Sequence, residues 1–378
     1  MALFVTTIPV LRLVLKSWNG TSMRLQYTSM DHWPKLAWLT RARRSSATIE
    51  VFHGPEVETT ARWFCEAVWD GAFAAGDFDR TDVVFGSGGR LRGRSVSFVS
   101  SATTVDRLHS FETVDAIWVS NSLACLLAAL GEALDPRYHA YSRDFHSICR
   151  GLTQYARFFP TASAGPVRLT YYHNLVWDGA RLREQAKPAA VRDFSAFARY
   201  RAFLASSLER LADNLASPAR SRPYRLLGTI SSGYDSPTVA TLARPFGLEE
   251  AIGFDRANSG EADSGSLIAA ALGIRLLPVR RHAWRSMELP EVPFVASDGK
   301  GEDVYFKGAE PLLAQLVGDR IHLITTLAPN VWPVTAMHGM RYLLAMFFTK
   351  SHPSPSGKPK SHITVSKCSV ASASPAAV

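Results

Sequence analysis

Cysteine is scarce in this chain. Its four residues, Cys65, Cys125, Cys149 and Cys368, are scattered over 378 positions with no paired C-x-x-C. That excludes a disulfide framework and points to a reduced, cytoplasmic setting. The eleven His form no H-x-x-x-H or H-E-x-x-H pattern, so no zinc site is expected. G-x-x-x-x-G-K-[ST] is missing, and the glycine cluster Gly86, Gly88, Gly89 has Leu91 where G-x-G-x-x-G needs its third glycine. That cluster reads as a hairpin turn. No uninterrupted apolar run reaches the ~18 residues of a membrane-spanning helix. The apolar start, "MALFVTTIPVLRLVLKSW", has no basic leader, is interrupted by Arg12 and meets no A-x-A site, so it reads as a strand. Acidic residues are outnumbered 33 to 42 by Lys and Arg. The arginines are dispersed, which describes solvated faces and argues against a nucleic-acid partner; an anionic small substrate fits better.

What is present is enough apolar material, 47% of the chain, for two globular domains. Residues 1–185 show short alternating or apolar runs between Gly, Ser and Asp clusters, such as "ATIEVFHG", "DVVFGSGGRLRGRSVSFVSS", "AIWVSNSLACLLAALG" and "VRLTYYHNLVWDG". Val96 and Phe98 alternate with Ser95 and Ser97 at the period of a half-buried strand. Leu123, Leu126, Leu127 and Leu130 follow Asn121 at helical spacing, with Asn121 as the expected cap. After Asp193, read as another cap, Phe194, Phe197, Tyr200, Leu204, Leu208, Leu211 and Leu215 fall on one helical stripe.

Beyond residue 192 strands and helices alternate: "YRLLGTI", a short helix from Pro237 to Arg244, "AIGFD", a helix from Gly265 to Leu272, "IRLLPV", a helix from Glu310 to Val317, and "RIHLIT". Such alternation predicts βαβ units and a parallel sheet, with ligands at the carboxyl ends of the strands. The first such end is "SSGYDSP", Ser231 to Pro237. Small residues at Ser231, Ser232 and Gly233 let backbone N–H groups approach an anion, and Ser236 before Pro237 predicts a cap with Pro at the first helical position. Asp235 repels phosphate unless a cation stands between them, which Mg²⁺ provides. The pattern fits a phosphate loop and an ordinary strand-to-helix corner equally. From residue 350 to 378 the chain is rich in Ser, Pro and Lys without an acidic residue, the composition of a disordered tail.

"SSGYDS" resembles the S-G-G-x-D-S loop of the ATP pyrophosphatases, specifically the asparagine synthetase and β-lactam synthetase group. "FDRANSGEADSGSLIAAALGIRLLPV" is similar to that group's second strand, acidic residue, helix ending in Leu-Gly and third strand. The resemblance implies an α/β protein: a strand-rich α+β domain like a degenerate Ntn amidotransferase at 1–185, then a doubly wound parallel-sheet ATP pyrophosphatase domain at 192–349, C-terminally incomplete. It also implies ATP on Ser231, Ser232, Gly233 and Ser236, Mg²⁺ on Asp235, and adenylation of a carboxylate with release of pyrophosphate before capture by an amine. Asp263 matches the family's acidic residue, although as a residue it reads first as the cap of the helix that follows.

Three departures shape the expectation. The group's amidotransferases carry Cys directly after Met1, whereas Ala2 and Leu3 stand here, so no glutaminase activity is expected. Ser232 replaces a glycine. "RIHLIT" runs into "TLAPNVWPVTAMHGM", without the aspartate of the family's G-x-G-x-D loop, while Asp298 and Asp303 come too early for that role. The expectation is a chain truncated or read out of frame from near Thr325. A non-catalytic nucleotide-binding remnant is the alternative, and a tRNA-modifying ATP pyrophosphatase the lesser one, since those place the loop near the N-terminus.

Overall fold

The computed structural model describes residues 22–104, 106–221, 224–257, 260–286, 320–325 and 340–344. The expected N-terminal strand, the helix at 310–317, Asp298, Asp303 and the tail lie outside them. In chain order the strands of the first part are β1 (Arg24–Ser29), β2 (Trp38–Arg43), β3 (Thr48–His53), β4 (Glu58–Thr59), β5 (Trp63–Cys65), β6 (Val68–Trp69), β7 (Val84–Phe85), β8 (Gly88–Arg92), β9 (Ser95–Val99), β10 (Leu108–Glu112), β11 (Ala116–Ser120), β12 (Phe158–Phe159), β13 (Val167–Thr170), β14 (Asn174–Trp177) and β15 (Leu182–Gln185). Helices α1 (Leu123–Leu130) and α2 (Tyr141–His146) lie between β11 and β12.

Alongside a separate antiparallel ribbon of β6 and β7, two large sheets form, in the orders β1-β3-β2-β11-β10-β13-β12 and β15-β14-β9-β8-β5-β4. Their facing surfaces close over Trp38, Ile49, Val51, Ile117 and Val119 from one and Phe64, Val96, Phe98, Leu175 and Trp177 from the other. Trp38 meets Phe64 edge to face at 5.1 Å, a favoured aromatic geometry. The other face of the seven-stranded sheet is covered by α1 and α2 through Leu126, Leu127, Tyr141 and Phe145. The second sheet is covered too, by a cluster that includes Trp63, Trp69, Phe78 and Val99. Ser97 is therefore buried as well, although its alternation predicted an open face.

The cap of α1 differs from expectation. Ser122, not Asn121, caps α1 by accepting from the Cys125 amide, while the Asn121 carboxamide accepts from the Trp38 amide at 2.8 Å and donates to Leu36 O at 3.1 Å. The glycine cluster differs too. Gly88 and Gly89 lie within β8, because a Cβ at Gly88 would come within 2.3 Å of Phe64 O and one at Gly89 within 2.5 Å of the Phe64 ring. The β8–β9 turn falls at Gly93, whose φ of +59° suits glycine.

The second part comprises α3 (Phe197–Leu215), β16 (Tyr224–Thr229), α4 (Asp235–Ala243), β17 (Glu250–Phe254), α5 (Ser266–Leu272), β18 (Arg275–Val279), β19 (Arg320–Thr325) and β20 (Met340–Leu344). Its sheet has the order β18-β17-β16-β19-β20, and every neighbouring pair is parallel. The alternation of strands and helices is thus a parallel sheet as expected, with β20 as an unforeseen edge. In α3 the stripe buries Leu204, Leu208, Leu211 and Leu215. Phe197 is exposed, and Phe194 packs on Tyr200 and Phe203 before the helix begins. Asp193 does not cap α3: its carboxylate accepts the Ser195 amide, and Ala196 occupies the cap position. The two parts share one core, in which Val68, Val83 and Phe85 pack with Leu208, Leu211, Leu215, Tyr224 and Leu226.

Between the parts, Lys187 turns inward. Its ammonium donates to Ser100 O at 2.6 Å and Asn174 Oδ1 at 2.8 Å, and burial pushes its pKa down to about 7. The unfolded lysine keeps its proton up to about 10.5, so between about 7 and 10.5 the unfolded state binds more protons and stability rises with pH. Comparison with Lys187→Met cancels the other titrating groups. The wild-type unfolding free energy minus that of the variant should climb by up to ~1.4 kcal/mol per pH unit from pH 7 towards 10 in denaturant melts. A flat difference would show that the folded lysine stays charged throughout.

Candidate functional site

The strand order reverses at β16: the chain goes from β16 outward to β17 and β18, then returns to β19 on the other side. Such a reversal opens a crevice at the carboxyl ends of the two central strands. The loop Ser231 to Tyr234 emerges there, between β16 and α4.

Each predicted residue can be placed. Ser231 follows the strand, and Ser232, Gly233 and Tyr234 form the bend. The Ser231 amide donates to Ser236 Oγ at 3.0 Å, and the two serine hydroxyls lie 2.8 Å apart. The Gly233 amide donates to Ser231 Oγ at 3.2 Å. Asp235 is exposed in the first turn of α4. The expected cap at Ser236 and first helical position at Pro237 are displaced by two residues, since α4 starts at Asp235 with Tyr234 in the cap position. The reason is local: Ser236 is buried, and its hydroxyl turns inward to the Ser231 amide at the strand end. Pro237 is tolerated in the first turn because amides there have no intrahelical partner.

Asp263 supplies the largest correction. It does not cap α5, whose cap position is Gly265 at φ +54° with no side-chain bond. Instead its Oδ1 accepts the Ser232 amide at 2.5 Å. The segment after β17 carries it there: Arg256 and Ala262 form an isolated bridge, and the Asp263 amide donates to Asp255 O at 3.3 Å. Asp255 in turn accepts from the Arg281 amide at 2.9 Å, tying the end of β17 to the residues after β18. Gly265 itself was not singled out in the sequence. It lies against Ile230, the last residue before the loop, where a Cβ would sit 2.7 Å from Ile230 Cγ2. A glycine immediately before a helical run was its only signal.

The residues present fit phosphate. The Ser232 amide already holds a carboxylate oxygen, so the loop accommodates anionic oxygen at that point. At Gly233 a Cβ would meet only Ser231 Oγ, at 3.3 Å, which leaves that side of the bend open to a ligand. For a cation the chain offers less. Among the described residues no group of three or more His, Cys, Asp or Glu could hold a metal. Mg²⁺ at Asp235 therefore requires phosphate oxygens and water as its remaining ligands, the usual arrangement for this ion.

No helix among the described residues is long and apolar enough to cross a membrane. The chain matches no protein-family model and no curated protein sequence.

Proposed function

We propose that this chain is an ATP- and Mg²⁺-binding protein of the asparagine synthetase kind, adenylating a substrate carboxylate for amide-bond formation with release of pyrophosphate. The observation that carries the reading is the loop at the sheet's reversal, whose Ser232 amide takes the Asp263 carboxylate. An amide that takes a carboxylate oxygen at the carboxyl end of a central parallel strand is suited to a phosphate oxygen. In this reading Ser231, Ser232, Gly233 and Ser236 hold the pyrophosphate portion, and Asp235 holds Mg²⁺. ATP, when bound, supplies an activated phosphorus to the carboxylate. The serine hydroxyls and loop amides orient the phosphates and offset the charge that develops on them.

The second reading is nucleotide binding without chemistry. It is favoured by the segment after Thr325, in which residues 326–340 contain no acidic side chain to act as a second metal ligand.

One experiment tests the site and another separates the readings. Calorimetric titration with ATP and Mg²⁺ should give binding that Asp235→Ala weakens at least tenfold; unchanged affinity would remove the site. Carboxylate-dependent exchange of labelled pyrophosphate into ATP supports adenylation. Binding without exchange over a carboxylate panel supports the non-catalytic reading.

A further inference from the structure

Asp263 stands out because it brings negative charge to the point where the loop would receive an anion. Its oxygen is 2.5 Å from the Ser232 nitrogen, and its own amide is tied to Asp255 O, so the side chain is aimed by the fold of the β17 loop. Asp235 stands on the same loop three residues after Ser232, exposed in the first turn of α4. A phosphate oxygen taking the Ser232 amide must displace one carboxylate and approach a second. At separations of about 4–6 Å partly in water, each such repulsion weakens an anion several-fold to more than tenfold. A divalent cation carried by the phosphate offsets both terms, because the displaced carboxylate and Asp235 can then face the cation itself while the complex keeps a smaller negative charge.

We propose that Asp263 is a specificity-determining residue: by occupying the Ser232 amide it excludes free phosphate and pyrophosphate and admits polyphosphate only as its divalent-metal complex. This rests on the phosphate-loop reading above. It assigns the selection between metal-bound and free anions to a residue outside the loop, 31 positions along the chain from the amide it blocks. Asp263→Asn is the informative substitution, since its carboxamide oxygen can still accept from Ser232 while the charge is gone. Asp263→Ala removes both.

The test titrates inorganic pyrophosphate into the full chain and both variants, with and without Mg²⁺, following heat and ³¹P line width. Thermal melts serve to confirm that each variant is folded. Without Mg²⁺ the wild type should bind weakly and Asp263→Asn at least tenfold more tightly; with Mg²⁺ the two should converge to within about threefold. Asp263→Ala should follow Asp263→Asn in the metal-free titration, because charge rather than the hydrogen bond sets the exclusion. If the wild type binds Mg²⁺-pyrophosphate while both folded variants bind metal-free pyrophosphate no better than it does, the role of Asp263 is overturned and the phosphate loop stands. If no form binds pyrophosphate under either condition, the loop reading itself is overturned.

Discussion

Arg220→Ala should lower the unfolding free energy by about 3–5 kcal/mol, measured by urea denaturation. Arg220 is 4% exposed and sits where the two parts of the chain meet. Its Nε donates to Asn214 O at 2.8 Å, and its Nη2 donates to Ala67 O at 3.0 Å and to the Asn214 side chain. The guanidinium lies 4.1 Å from the Phe73 ring centre and 5.0 Å from that of Tyr224, one ring from each part. Truncation deprives three buried acceptors of these donors and removes a planar cation from between two rings. Asn214 is left with its bond to Gly71 O at 2.7 Å, which no longer has a second clamp beside it. Arg220→Lys keeps the charge but not the planar fork, so it should recover less than half of the loss. A loss below ~1 kcal/mol in the alanine variant would mean that this junction is held by apolar packing alone.

Gly265→Ala should cost about 2–4 kcal/mol and abolish the Mg²⁺-pyrophosphate binding proposed for the loop. Two effects combine. At φ +54° any side chain pays the left-handed penalty, and the new methyl would come within 2.7 Å of Ile230 Cγ2 and 3.0 Å of Ile230 C and O. Ile230 makes the last ladder bond before the loop, from its amide to Ile252 O at 2.9 Å, so pushing it moves Ser231 and Ser232. Gly260→Ala is the control. It also has a positive φ, +87°, but nothing lies within 4 Å of its would-be Cβ. That variant should lose stability through conformation only and keep its affinity for Mg²⁺-pyrophosphate. Equal behaviour of the two glycine variants, by melting and by titration, would refute the steric argument.

The parts of the fold that the sequence revealed are those governed by neighbours along the chain. Apolar runs punctuated by Gly and Pro marked β16, β17, β18 and β19, and the loop was located at the end of the first because small residues there precede a helix. Helix stops were equally local: Gly273, at φ +62°, ends α5 where expected. What escaped was set by distant partners. Asn121 left the cap to Ser122 because the Trp38 amide, 83 residues away, claims its side chain. Gly88 and Gly89 suggested a turn, yet they are glycine because Phe64 crosses above them. Asp263 had the spacing of a cap, and only the closing of the β17 loop shows that it reaches Ser232. Lys187 carried no local sign of burial; its partners Ser100 and Asn174 come from two separate strand ends.

Composition places a boundary at residues 186–191, but the shared cluster of Val68, Val83 and Phe85 with Leu208, Leu211 and Tyr224 ignores it. Neither part can melt without exposing apolar surface of the other. Cooperativity therefore extends across that boundary, and the loop from Ser231 to Tyr234 follows a strand that shares its core with β6 and β7. A substitution at Val83 or Phe85, far from the loop in sequence, disturbs the core shared with Leu226 and Ile230, the residues that lead into it.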